Sequence, residues 1–247
     1  MNSNNPVLQP SAFSNAGPAA MGARMTINGT IAKTGILTVL MFVSAAWMWD
    51  KLFAGGQQAL AAPAMIGGII AALVTGLIIS FAPRTASFLA PVYALGEGVL
   101  LGAISAMYER QFHGLVLTAV LLTAGVLFAM LAAYVTGVVR ATEKFKAGVF
   151  AATGGIALLY LLSIVLGFFG IHIPGLFGNG AVGILFSVVV AGIAALNLVI
   201  DFDMIERGAA YGAPKYMEWY SAFGLMVTLV WLYMEILRLL SKLRSRD

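Results

Sequence analysis

Residues 180–203 read GAVGILFSVVVAGIAALNLVIDFD, an unbroken stretch with no charge before Asp201. A helix that crosses the hydrocarbon of a bilayer needs about 20 predominantly apolar residues. This stretch supplies them before Asp201 and Asp203 arrive. Its apolar residues are continuous and do not alternate, which excludes a strand of an outer-membrane barrel. Six further windows have the same character, at 31–53, 60–82, 86–108, 114–138, 148–170 and 217–240. The expected fold is all-α: a polytopic membrane protein built as a bundle of seven transmembrane helices.

Composition agrees over the whole chain. Of 247 residues, 61% are hydrophobic and 10% charged, and the mean hydropathy is +0.95. Soluble domains carry about 25% charge, and a water-soluble surface needs most of it. A cytosolic enzyme, a nucleic-acid binder and a secreted disulfide scaffold are therefore excluded. The chain has no cysteine, so it has neither disulfide nor thiol chemistry. The net charge of +4 comes from basic residues scattered between apolar runs, a distribution that sets membrane orientation. Among the 28 glycines, Gly67, Gly68, Gly76, Gly154 and Gly155 are expected to permit close helix contact.

The expected organisation is a flexible polar tail at 1–30, a seven-helix membrane domain at 31–241 and a short basic tail at 242–247. The first apolar run is full length and lacks a cleavage site, so it stays as an anchor. Links between spans are short: Asp50 to Gln58, Pro83-Arg84-Thr85, Glu109-Arg110-Gln111, the basic link Arg140 to Lys146, and the loop GIHIPGLFGNG at 170–180 with His172. Arg24, Lys33, Arg84, Arg140, Lys144, Lys146, Arg207 and Lys215 fall on one side, and only Lys51 and Arg110 on the other. That imbalance places the N-terminus in the cytoplasm, in a bacterium in the inner membrane. The C-terminal Lys242, Arg244 and Arg246 oppose it if span seven crosses fully. Trp47, Trp49 and Trp219 fall near span ends, as an interfacial aromatic belt requires; Trp231 does not.

Charges that persist within spans are expensive and mark functional candidates. Glu97 lies mid-span in YALGEGVLLGAIS; burial disfavours a bare charge, so it is neutral and backbone-bonded or linked to an ion or proton. The densest cluster is NLVIDFDMIERG, residues 197–208, at the end of span six and its loop. A helix turns about 100° per residue, so Asp201 and Asp203 point about 200° apart and cannot share a site. Asn197 and Asp201, four apart, share a face. Asp201 is assigned to the bundle and Asp203 to an interfacial ion pair with Arg207. On span seven, Thr228, Trp231, Glu235 and Arg238 share a face, and Glu235 and Arg238 can satisfy each other. Glu218, at the start of span seven, is at a depth close to that of Asp201. The two could form a carboxylate pair that needs a proton, a cation or an arginine to hold it together, a tentative calcium site at Asp201 and Glu218. The other reading leaves Glu218 solvated at the interface.

No metalloprotease, serine-hydrolase or phosphate-loop motif occurs, and His113 and His172 read as isolated interfacial residues. The chain is expected not to be an enzyme and to need no cofactor beyond transient calcium.

Seven closely spaced spans, Glu97-Gly98 in the third, Asp201 closing the sixth before a charged loop and ILRLL (Ile236 to Leu240) ending the seventh together resemble the Bax inhibitor-1 superfamily, and most nearly its bacterial YccA-like branch. The likeness covers about residues 30–243. It implies a seven-helix fold and, as in some members, a pH-sensitive calcium leak. There, aspartates on helices six and seven face each other, joined by an arginine later on helix seven. Asp201 matches the first aspartate and Arg238 the arginine. With ILRLL as anchor, Thr228 stands where the second aspartate would be. A threonine cannot share a proton as a carboxylate does, which leaves Glu218 or Glu235 as substitutes. Glu97 matches an acidic position of the third helix.

Two functions follow. One is a passive cation pathway, calcium foremost, regulated by protonation of Asp201 with Glu218, Glu97 or both, with Asn197 among the ligands. The other is a regulatory protein that contacts other membrane proteins and modulates membrane proteolysis or stress survival. Its docking segments would be the polar N-terminus and the basic C-terminus. Either way the lipid bilayer is a partner and nucleic acid is not. The sequence sets no oligomeric state.

Overall fold

The computed structural model describes residues 24–170 and 178–245. Most of the polar tail, His172 with its loop at 171–177, and Arg246 lie outside the described residues. Seven helices are long and apolar enough to cross a membrane: α1 (Ile27–Trp49), α2 (Ala61–Phe81), α3 (Ala86–Gln111), α4 (Leu115–Val135), α5 (Glu143–Phe168), α6 (Ala181–Ala210) and α7 (Met217–Arg244). Among the described residues there is no strand, only an isolated bridge between Arg24 and Pro214. In hydrocarbon a helix is the element that satisfies every backbone group within its own segment.

Helix ends depart from the apolar windows where a cap or a charged turn extends the helix. α1 begins at Ile27, four residues early, because the Thr26 hydroxyl caps it and accepts from Gly29 N at 2.9 Å. At its far end α1 passes into a π-helical turn, Asp50–Ala54. α5 begins at Glu143, with Thr142 accepting from Phe145 N at 3.2 Å, so half of the basic link is helix. α6 carries NLVIDFDMIERG as helix to Ala210 and stops at Gly212, whose φ of 66° is the left-handed turn glycine supplies. α7 runs to Arg244, beyond the expected boundary at 241.

The chain divides into two compact units: Met1–Gln111 with Met204–Met226, and Phe112–Asp203 with Val227–Asp247. In the first, α3 packs on α1 and α2 through small residues. A Cβ on Gly98 would collide with the Met41 carbonyl and the Ser44 hydroxyl of α1, and one on Gly102 with the Ala45 carbonyl. A Cβ on Gly68 of α2 would lie 2.8 Å from Leu100 Cβ. These approaches are set by backbone and β-carbons, so no side-chain rotation relieves them. Gly76 has Phe223 and Tyr93 each 3.8 Å from its Cβ position. By contrast Gly67, Gly154 and Gly155 do not act as contact points; a Cβ there would meet nothing within 4 Å.

In the second unit α4 and α5 turn large apolar residues outward, among them Leu117, Leu121, Phe128, Leu158 and Phe168. They face the lipid.

α7 is long and apolar enough to cross a membrane, and both of its ends are held. Ahead of its first turn, the Ala213 carbonyl accepts from Met25 N at 2.6 Å. In its last turn, Arg244 donates to the His113 carbonyl, between α3 and α4, at 2.9 Å.

Close packing of α3 on α1 predicts that Gly102→Leu lowers the melting temperature in detergent by about 4–10 °C. Gly125→Leu, where a Cβ meets nothing within 4 Å, should leave it unchanged. Equal melting of the two variants would remove Gly102 from the helix contact.

Candidate functional site

α6 divides its acids by azimuth. Asp203 Oδ2 is met by Lys146 Nζ of α5 at 2.6 Å, and the same ammonium lies 3.6 Å from Glu143 Oε1. Asp201 points elsewhere, is 8% exposed, and accepts a hydrogen bond from Thr228 of α7. Its Oδ2 is buried with no hydrogen-bond partner among the described residues. One turn before it on the same face, Asn197 Nδ2 donates to Thr153 Oγ1 of α5 and to the Ile193 carbonyl, both at 2.9 Å. A buried carboxyl with a bare oxygen either carries a proton or draws a cation, because an unpaired charge in low dielectric is costly.

Two turns along α7 from Thr228, Glu235 Oε1 accepts from the Tyr160 hydroxyl and from Arg238, each at 2.8 Å. Arg238 also donates to the Tyr160 oxygen at 2.6 Å, with its guanidinium 5.4 Å from that ring's centroid. Glu235 Oε2 is buried without a hydrogen-bond partner among the described residues. Two turns further, Lys242 donates to the Gly183 carbonyl and the Ser187 hydroxyl of α6, both at 2.9 Å. Lys242 is thus buried in the second unit and is no part of an exposed basic tail.

Thr228, Glu235 and Lys242 recur every seven residues, which keeps them on one side of α7 at steps of about 10.5 Å. Thr153, Tyr160, Ser187 and Lys242 escaped the sequence reading. The first three are ordinary residues of apolar runs; for Lys242, its seven-residue spacing from Glu235 was the available signal.

Glu218 belongs to the first unit, where it is 1% exposed. Its Oε1 accepts from Thr26 N at 3.1 Å and from the Thr26 hydroxyl at 3.0 Å, and its Oε2 lies 3.1 Å from Lys33 Nζ. Lys33 also sits 5.9 Å from the Trp219 ring centroid. A Cβ on Gly29 would overlap the Glu218 carboxyl, so glycine is what lets the acid reach the N-terminus of α1. In the first unit a lysine and a helix cap hold Glu218, and in the second a threonine holds Asp201.

Glu97 is buried on α3, one turn from Tyr93, whose ring meets Phe223 edge-on at 4.9 Å. Among the described residues no group of three or more histidines and acids converges as a metal site.

The sequence matches the family described as Bax inhibitor 1 like over residues 5–245. No curated protein and no solved structure matches it.

The clasp around Glu218 predicts that Glu218→Met, which leaves Lys33 and Thr26 N without their acceptor, costs about 1–3 kcal/mol. Trypsin should then cut at Lys33 in the folded protein. Lys33→Met combined with Glu218→Met should recover part of the loss, as a double-mutant cycle in thermal unfolding would measure. Strictly additive losses would mean the two groups are not coupled.

Proposed function

The chain belongs to the Bax inhibitor 1 like family, and from that membership and the Asp201 site we propose that it forms a passive, pH-sensitive pathway for cations, calcium foremost, across its membrane. The observation that carries this reading is the bare, buried Oδ2 of Asp201 on a face shared with Asn197. Calcium takes about six to eight oxygen ligands, more than these residues hold, so the ion would pass in transit, keeping part of its water. Asp201 and Asn197 would be its protein contacts at this depth. Proton and cation compete for one oxygen, and that competition supplies the pH dependence.

Two finer assignments belong to the same reading. The YccA-like branch rests on the ILRLL ending and the Glu97-Gly98 pair. A bacterial inner membrane with a cytoplasmic N-terminus rests on the cation imbalance between alternate loops. The protein would conduct without making or breaking bonds, so no catalytic residue is assigned and no cofactor is required.

The test is calcium flux into proteoliposomes between about pH 6 and about pH 8. Wild type should conduct with a rate that changes across this range. Asp201→Asn, fixed in a neutral form, should conduct at a rate independent of pH. Thr228→Asp should steepen the pH response, because two carboxyls in contact titrate as a coupled pair. Flux no greater than in empty liposomes, from folded protein, would overturn the proposal.

A further inference from the structure

The column along α7 ends in a feature that the passage of cations does not require. Resting on the pathway reading above, we infer that Lys242 is an electrostatic gate: its ammonium bars cations at the end of the second unit where α6 begins, and the pathway opens when that side chain leaves its seat.

The argument starts from what neutralises each charge. Arg238, one turn before Lys242, is matched by Glu235 at 2.8 Å, so that level of the column carries no net charge from the pair. Lys242 forms no such ion pair among the described residues. Its bonds go to the Gly183 carbonyl and the Ser187 hydroxyl, both neutral acceptors. They orient the ammonium, which Glu235, two turns back, attracts and Arg238, one turn back, repels. The residue is 3% exposed, so little water screens it. A cation that has come past Asp201 and Glu235 meets this charge at close range in a medium of low dielectric. Fixed positive groups at constrictions exclude cations from pores by the same physics.

The seat also explains how the barrier could be lifted. Lys242 is in the last turn of α7, which ends at Arg244, and a lysine stem has four rotatable carbons that let the charge swing toward the helix end. Two hydrogen bonds to α6 are what must break. Gly183 and Ser187 are one turn apart in the first two turns of α6, so a small rotation or slide of α6 against α7 would release both. Chemically, the gate answers to whatever competes for the ammonium, and an anionic group reaching that end of the helix would both neutralise and withdraw it.

Proteoliposome flux of wild type, Lys242→Met, Lys242→Arg, Ser187→Ala and Asp201→Asn decides the matter. Lys242→Met keeps the apolar stem and removes the charge, and calcium flux should rise about tenfold or more. Lys242→Arg keeps the charge and should stay near wild type. Ser187→Ala weakens the seat without touching the charge and should raise flux about threefold. An unchanged rate in Lys242→Met, or an equal rise in Lys242→Met and Lys242→Arg, would overturn the gate. If flux remains sensitive to Asp201→Asn in that case, the pathway stands and the gate alone fails. If no variant conducts above empty liposomes although each is folded, both fail together. Flux that appears only in Lys242→Met would establish the gate directly.

Discussion

A charge taken into hydrocarbon has to find its counter-group inside the protein, since the solvent there offers none. In this fold that requirement fixes how the helices are rotated. Lys33 reaches Glu218 and ties α1 to α7 within the first unit. Lys146 reaches Asp203 and ties α5 to α6 within the second. Tyr160 bridges Glu235 and Arg238, tying α5 to α7. Helices whose remaining surface is apolar nearly all round have little else to set their azimuth, because lipid solvates a leucine as well as a neighbouring helix does.

The cations meet the requirement in two ways. Lys33 and Lys146 pair with acids. Others are held by backbone carbonyls: Arg110 by Leu52, Lys242 by Gly183 and Arg244 by His113. Lys242 is the buried member of that set.

The sequence made the spans legible because about 20 apolar residues in a row have few other uses. Their ends were less legible. Caps at Thr26 and Thr142 and the helical run through Asp201 to Ala210 add polar turns that hydropathy does not count. Within the site, the divergence of Asp201 and Asp203 followed from helical rotation alone, and so did the contact between Glu235 and Arg238. The partners did not follow. Lys146 lies in the first turn of α5, which had read as loop, while Thr153 and Tyr160 lie in a run so uniformly apolar that no periodicity marks the face turned inward. Thr228 is the instructive case. Aligning a five-residue ending placed it opposite Asp201, and the hydrogen bond is there.

That threonine changes the physics of the pair. Two facing carboxyls stay together while they share a proton and repel once both are ionised, so their contact is itself a function of pH. A hydroxyl donates to a carboxylate and can accept from a carboxylic acid. Asp201 and Thr228 can therefore remain bonded in either protonation state, and the link between α6 and α7 at this depth does not open on ionisation. In the proposed pathway, pH then enters through the charge that Asp201 presents and not through separation of the helices. Charge is also what an electrostatic gate at Lys242 would contribute, with opposite sign and farther along the same face of α7. The balance between one acid that admits a cation and one ammonium that opposes it would set the rate, while the helix packing that carries both stays in place.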